Sequence, residues 1–442
     1  MMNPASVKLD LASIEAEPLS FGLKGLPASA EGKPLGALGA LGLSLLDGDL
    51  SLPAAILRDS ALTHNSEWMQ SFTERASVSL CPHGKTTMAP QLFQRQFDHG
   101  AWGMTAATAA QVRIYRRFGV PRIILANQLV GPADMEIVFR ELERDPDLDL
   151  YLLVDSLAGL NQLKEAIVHR GLTRPVQVLL EVGKPNGRTG VRTLEQGIEL
   201  GRLLRDAAAQ IAFRGIEGFE AVGKAGHGAD QLELIALTMM DTICQLAAIG
   251  AQEAWFSPGE VILTGGGSSF FDLVARELSL TQIDRPLRVV LRSGCYLSHD
   301  SLFYARMQSR MRARSPSAWG AEEGLRNALE VWAHVQSVPE STRAICALGK
   351  RDVSFDIELP QPLWWFRRGL HTVPQPAQPF LRVTALNDHH AYVDSEGEPV
   401  PWRVGDLVGF GIAHPCTTFD KWPLLYCVDD KYKVLSGIRT FF

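Results

Sequence analysis

Three groups of residues carry chemistry that a plain scaffold does not need. Lys85 ends the stretch Cys81-Pro82-His83-Gly84-Lys85, directly after a short apolar run. A lysine held where water is scarce loses solvation, its pKa falls, and its amine can attack an aldehyde. By spacing alone an exposed turn lysine is the plainer reading. The run Thr264-Gly265-Gly266-Gly267-Ser268-Ser269 follows another apolar stretch, and bare amides with hydroxyls are what cradle a phosphate. It lacks the Gly-Lys-Ser/Thr ending of a nucleotide loop and the spacing of a dinucleotide fingerprint, and a structural glycine turn is its other reading. His414 and Cys416 stand two apart, so an extended strand would turn both to one face. Imidazole and thiolate suit zinc, while a buried cysteine beside a hydrogen-bonded histidine is the plainer alternative.

These groups need elements to position them. Between about Ser77 and Gly294 short apolar runs alternate with helical stretches. The strand candidates are Val78–Cys81, Gly103–Thr105, Arg122–Ala126, Leu148–Val154, Val176–Val182, Phe213–Phe219, Val261–Thr264 and Leu287–Arg292. Ala107–Phe118, Leu157–His169, Leu194–Ala208 and Leu232–Ile249 carry apolar residues at three- and four-residue spacing. Repeated strand–helix units imply a parallel sheet, and eight of them predict an α/β fold: a (β/α)8 TIM-type barrel, with an open doubly wound sheet as the alternative. A barrel gathers its strand tips on one face. The tips are the Lys85 stretch, Thr105–Thr108, Asn127-Gln128, Asp155-Ser156, Gly187-Arg188-Thr189-Gly190, Phe219-Glu220, Gly265–Ser269 and Ser293-Gly294.

After Gly320 a helical segment, Glu322 to Trp332, is expected, then strands at Phe380–Leu386, Ala391–Val393, Asp406–Phe410 and Leu424–Val428. This predicts a second, mainly β C-terminal domain over 321–442, after a barrel over 61–320. Residues 1–60 form an N-terminal segment whose best strand, Leu50–Arg58, is expected to pack with the β-domain.

Composition narrows the class. The 442 residues carry 43 Lys+Arg and 49 Asp+Glu, a net charge of −6, with 46% hydrophobic residues, enough for a large core. The six cysteines lack CxxC spacing, so reduced thiols are expected rather than a disulfide framework or a zinc finger. No stretch reads as approaching the ~20 apolar residues of a membrane span, and no leader is read at the N-terminus, so the expectation is a cytoplasmic protein without a membrane partner. The densest cationic run, Met307 to Arg314, is short and lies in a helical pattern, so no nucleic-acid partner is expected.

A lysine at the first tip and a phosphate cup at the seventh together point to pyridoxal phosphate, anchored covalently at one end and electrostatically at the other. Pro82-His83-Gly84-Lys85-Thr86 resembles the P-H-x-K-T motif of fold-type III pyridoxal phosphate enzymes of the D-serine dehydratase and D-threonine aldolase group, relatives of alanine racemase. Arg188-Thr189-Gly190 resembles the R-x-G segment whose arginine lies near the cofactor phenolic oxygen. Gly265-Gly266-Gly267-Ser268 resembles the phosphate cup, and Arg292-Ser293-Gly294-Cys295-Tyr296 resembles R-P-G-x-Y, with Ser293 in place of the proline. Asn387-Asp388-His389-His390 is similar to the S-E-E-H segment.

The resemblance implies that Lys85 carries the cofactor and takes the α-proton, that Arg188 holds the phenolate, and that Gly265, Gly266, Gly267, Ser268, Ser293 and Gly294 line the cofactor. It further implies that His414 and Cys416 hold Zn2+ or another divalent metal; in the aldolase branch an aspartate resembles the second ligand, so Cys416 leans toward elimination. The expected activity is that of a lyase removing water and then ammonia from a D-3-hydroxy amino acid, probed against retro-aldol cleavage, racemization and non-catalytic cofactor carriage. A homodimer is implied by the related enzymes. Phe219 and Glu220 could line the ring or substrate, or Phe219 could be plain core. His83 and His390 could serve the site or be structural histidines. Asn127 has no assigned role.

Overall fold

The chain builds two sheets in a computed structural model that describes residues 7–220, 229–315 and 323–442. The first strand, β1 (Ala54–Arg58), leads straight into the helix Asp59–Ala76 and so into the barrel. Eight strands follow: β2 (Ser79–Leu80), β3 (Met104–Ala106), β4 (Arg122–Gln128), β5 (Asp149–Val154), β6 (Val176–Val182), β7 (Ile211–Gly218), β8 (Val261–Gly265) and β9 (Leu287–Leu291). They pair in parallel in the order β2-β9-β8-β7-β6-β5-β4-β3. Trp102 N donates to Leu80 O at 2.7 Å and Thr105 N to Pro82 O at 2.9 Å, so the two ends of that order also meet and the sheet closes. The (β/α)8 barrel therefore holds and the open doubly wound alternative falls.

Sequence dictates this locally. In the strand Asp149–Val154 every residue after the first is apolar and buried because both of its faces are covered. Cys81, Ile124, Tyr151, Leu153, Leu179, Ile262 and Val290 cluster as the packed interior of the barrel. Helices start where a side chain accepts an orphan amide: Thr108 from Gln111 N, Ser156 from Gly159 N, Thr193 from Gln196 N. Gly171, left-handed at φ 74°, ends the helix Leu157–Arg170.

The second sheet is built from β1 and β10 (Leu329–Glu340), β11 (Arg343–Cys346), β12 (Gln361–Phe366), β13 (Gln375–Pro376), β14 (Leu381–Leu386), β15 (Ala391–Ser395), β16 (Leu407–Gly411), β17 (Leu424–Val428) and β18 (Val434–Arg439). Its central order is β13-β12-β16-β10-β1-β17-β18. β1 lies antiparallel to β10 and parallel to β17, so the N-terminal strand is an inner strand of this sheet. Ala55 and Leu57 face the large core, while Ala54 and Ile56 face a second cluster with Leu35, Leu38, Trp332 and Tyr426.

Two expectations need correction. The helix expected over Glu322–Trp332 is instead a stretch without regular structure that runs into β10 at Leu329; Glu322 itself and Gly320 lie outside the described residues. Leu329, Val331, Ala333 and Val335 pack into one core and Trp332 into another, so burial on both faces produced a run without clean alternation. The helix Ala229–Gln252 is, over Asp230–Gln252, long and apolar enough to cross a bilayer by length and composition, contrary to the reading that no stretch comes near. Its residues Ala236, Met239, Met240, Ile243, Leu246 and Ala247 are buried in the core. The cationic run lies on the helix Phe303–Arg314, and Arg314 Nη2 is paired with the buried Asp272 at 2.6 Å.

Because Ile56 is fully buried between β10 and β17, Ile56→Ala is expected to cost about 2–5 kcal/mol. The half-exposed Leu435→Ala should stay within about 0.5 kcal/mol, both read by urea unfolding.

Candidate active site

The first tip is a tight 3-10 turn, Gly84–Thr86, following β2. Gly84 has to be glycine: a Cβ there would sit 2.3 Å from the Tyr115 hydroxyl, which donates to Thr105 O and holds the neighbouring tip. Lys85 is half-buried on this turn, close enough that its charge depresses the pKa of both His83 and Cys416. Burial, with Lys85 and Arg292 nearby, drives the His83 imidazole well below its usual range, so it is neutral, and its Nδ1 has no hydrogen-bond partner.

The seventh and eighth tips meet in one cup. Gly266 N and Gly267 N donate to the two oxygens of Glu220 at 2.9 and 2.6 Å. Ser293 Oγ donates to Gly267 O at 2.7 Å, Ser268 Oγ accepts from Cys295 N, and Arg292 N donates to Gly265 O. Gly294 permits the approach of the first tip, since a Cβ would lie 2.4 Å from His83 O. The cup thus binds an oxyanion in the form of the chain's own carboxylate, which is buried and whose pKa burial raises.

Arg188 is exposed on the loop after β6, and its guanidinium lies 4.7 Å from the centre of the Phe219 ring, so those two tips are brought together. Asn127 is a loop brace, its amide donating to Ala107 O. His390 stands in the turn between β14 and β15, its carbonyl accepting from Asn387 N.

Cys416 reaches the first tip from the other domain. Its Sγ lies 3.4 Å from Thr86 Oγ1 and 3.6 Å from Cys295 Sγ. The pair does not sit on a strand as expected: His414 caps the short helix Pro415–Phe419 and Cys416 lies in its first turn. Proline at the first helical position favours that start. His414 Nδ1 is 2.6 Å from Asp356 Oδ2, which leaves Nε2 as the free ring nitrogen, the arrangement usual for a metal-ligating histidine. The hydrogen bond from Cys295 lowers the Cys416 thiol to about 7 against the effect of burial, with Thr86 and Lys85 adding to it. Among the described residues no group of three or more His, Cys, Asp or Glu side chains is gathered for a metal, so His414 and Cys416 stand as a two-residue set.

Sequence reading gave no role to three charged residues inside the barrel mouth, Glu217, Glu181 and Arg292. Glu217 Oε2 pairs with Arg292 Nη1 at 2.5 Å, both buried, and burial pushes the Glu217 carboxyl up to about 7 despite that partner. Glu181 accepts from Thr189 Oγ1 at 2.6 Å and from the Gln128 amide, tying the Arg188 loop to the barrel. A glutamate inside an apolar run, as in Val176–Val182, was the available signal.

Residues 328–428 match the family described as "Putative serine dehydratase domain". A D-threonine aldolase of Arthrobacter sp is 25% identical over 382 residues, covering 86% of this chain and 89% of that one. The chain is thus similar to a D-threonine aldolase over most of its length and to a serine dehydratase domain over less than a quarter of it. Its fold matches the D-threonine aldolase structure from Filomicrobium marinum with a TM-score of 0.70 at 19% identity, covering 90% of this chain and 96% of that one. D-threo-3-hydroxyaspartate dehydratase from Delftia sp. HT23 matches with a TM-score of 0.68 at 18% identity, covering 90% and 99%. The fold is the alanine racemase-like barrel with its β-domain.

Removing the charge that occupies the cup should favour an incoming anion. Glu220→Gln is expected to tighten inorganic phosphate binding by about tenfold, near 1.4 kcal/mol, in titration calorimetry. In metal-free protein, alkylation of Cys416 by iodoacetamide should rise as pH increases through about 7, where its thiolate forms, and peptide mapping should find the buried Cys295 lagging behind it.

Proposed function

We propose that this chain is a pyridoxal phosphate- and zinc-dependent lyase that removes water and then ammonia from a D-3-hydroxy amino acid, D-serine or a larger relative, leaving a 2-oxo acid. The observation that carries the reading is the cup itself, which already holds a carboxylate on the amides of Gly266 and Gly267, two strands along the barrel mouth from the Lys85 turn. An oxyanion of the cofactor phosphate suits the same two donors once Glu220 withdraws, with Ser268, Ser293 and Gly294 around it.

Lys85 would hold the cofactor covalently, and the bound cofactor supplies an electron sink for a carbanion at the substrate Cα. The remaining work falls to the chain. Lys85 Nζ, once free, takes the α-proton. Arg188, held over Phe219, presents its charge to a phenolate oxygen. Neutral His83 behind Lys85 adds no competing positive charge. His414, steadied by Asp356, and Cys416 would hold the zinc, which supplies Lewis acidity for a departing β-hydroxyl. The match of residues 328–428 to a serine dehydratase domain supports elimination, as does the thiol of Cys416.

The second reading is retro-aldol cleavage of a β-hydroxy-D-amino acid to glycine and an aldehyde, favoured by the identity to D-threonine aldolase. Product analysis separates the two: ammonia with a 2-oxo acid supports the first, glycine with an aldehyde the second. Lys85→Ala should lower turnover at least ~1000-fold while the fold persists, with borohydride labelling lost from that peptide. Chelation should abolish activity and zinc restore it. Activity that survives chelation in full would remove the metal from the mechanism and favour a racemase.

A further inference from the structure

Cys295 has no place in the scheme above, yet its position is tightly specified. It follows β9 and is buried at 5% exposure. Its amide is held by Ser268 Oγ, its carbonyl accepts from His299 N at 2.7 Å, and the preceding Gly294 leaves no room for a Cβ. Cys416 is fixed from the other domain by the helix turn that His414 caps, with Asp420 N donating to Cys416 O. These two independent supports bring the sulfurs to 3.6 Å.

That distance is far beyond a disulfide bond of ~2.05 Å. Two thiolates on one tetrahedral zinc, each ~2.3 Å from the metal, stand ~3.8 Å apart. Thr86 Oγ1 lies 3.4 Å from Cys416 Sγ and 3.8 Å from Cys295 Sγ, so the two sulfurs share a polar face toward the Lys85 turn. All six cysteines are free thiols, so neither sulfur is tied up in a disulfide.

We infer that Cys295 is a second thiolate ligand and shares one soft divalent cation with Cys416, an ion that on binding draws His414 to the sulfur pair, since the three side chains are not gathered without it. This deepens the metal reading proposed above and rests on it. Two sulfurs select zinc, cobalt or cadmium over the harder magnesium, calcium and manganese. They also let the cation bridge the barrel, through β9, and the β-domain, through the helix Pro415–Phe419.

The test uses full-length metal-free protein and cobalt chloride. Sulfur-to-cobalt charge-transfer absorption grows with the number of thiolates, so Cys295→Ser is expected to lose about half of the wild-type band and bind cobalt at least about tenfold more weakly against a chromophoric chelator. Cys416→Ser should behave alike. A band and affinity unchanged in Cys295→Ser but lost in Cys416→Ser would overturn the inference and leave the His414–Cys416 reading standing; no uptake by wild type would overturn both. Should the serine variant fail to fold, the wild type decides alone. Bound zinc is expected to protect Cys295 and Cys416 together from alkylation with mass-spectrometric mapping, and protection of Cys416 without Cys295 sinks the proposal.

Discussion

The site depends on the backbone pairing of β1. This strand of five residues hydrogen-bonds to β10 on one side and β17 on the other, and its last residue, Arg58, is followed at once by the first barrel helix. The second domain's sheet is therefore not tethered by a loose linker but shares an inner strand with the start of the barrel. That fixes where the short helix after β16 lands, and hence that Cys416 meets Thr86 and Cys295. Both faces of β1 are buried, one against the barrel side and the other under the N-terminal segment. Those N-terminal residues, rich in Leu and Gly, thus act at a distance on the chemistry by holding one strand in register.

Inside the barrel mouth the governing constraint is charge. Glu181, Glu217 and Glu220 are all buried, an arrangement that is costly unless each carboxylate has a partner. Glu217 takes Arg292, Glu220 takes two backbone amides, and Glu181 takes a hydroxyl and a side-chain amide. Of the three, Glu220 is the one held by backbone amides of the glycine run, donors that another oxyanion could claim without breaking an ion pair. Its place in the cup shows that the glycine run works as an anion site through its amides, with the Arg292 guanidinium near enough to favour the charge.

Much of this was legible in the chain. Eight apolar runs with polar tips announced the barrel because parallel strands are buried on both faces and read as continuous apolar segments, and the tips then collected Lys85, Arg188, Phe219, Glu220 and the glycine run at one end. What could not be read was whatever depends on partners far apart in sequence. The strand β10 looked helical because its two faces feed two different cores. Glu217 looked like any strand glutamate until Arg292 was placed against it. Cys295 was only a variable position in a motif, since nothing local says that residue 416 will approach it.

The placement of His414 and Cys416 on a helix start rather than a strand changes their chemistry. On a strand the two side chains would be parallel and equivalent. At a helix N-terminus they differ: His414, as cap, is turned to Asp356, while Cys416, in the first turn, is aimed at the barrel among groups that favour its thiolate. The β-domain thereby delivers an imidazole that is oriented by a carboxylate and a sulfur that is already acidic. The barrel supplies the opposing surface, with Lys85 nearby and Thr86 in contact. Neither domain alone builds that juxtaposition, which is why an inner strand shared between them is the feature on which function turns.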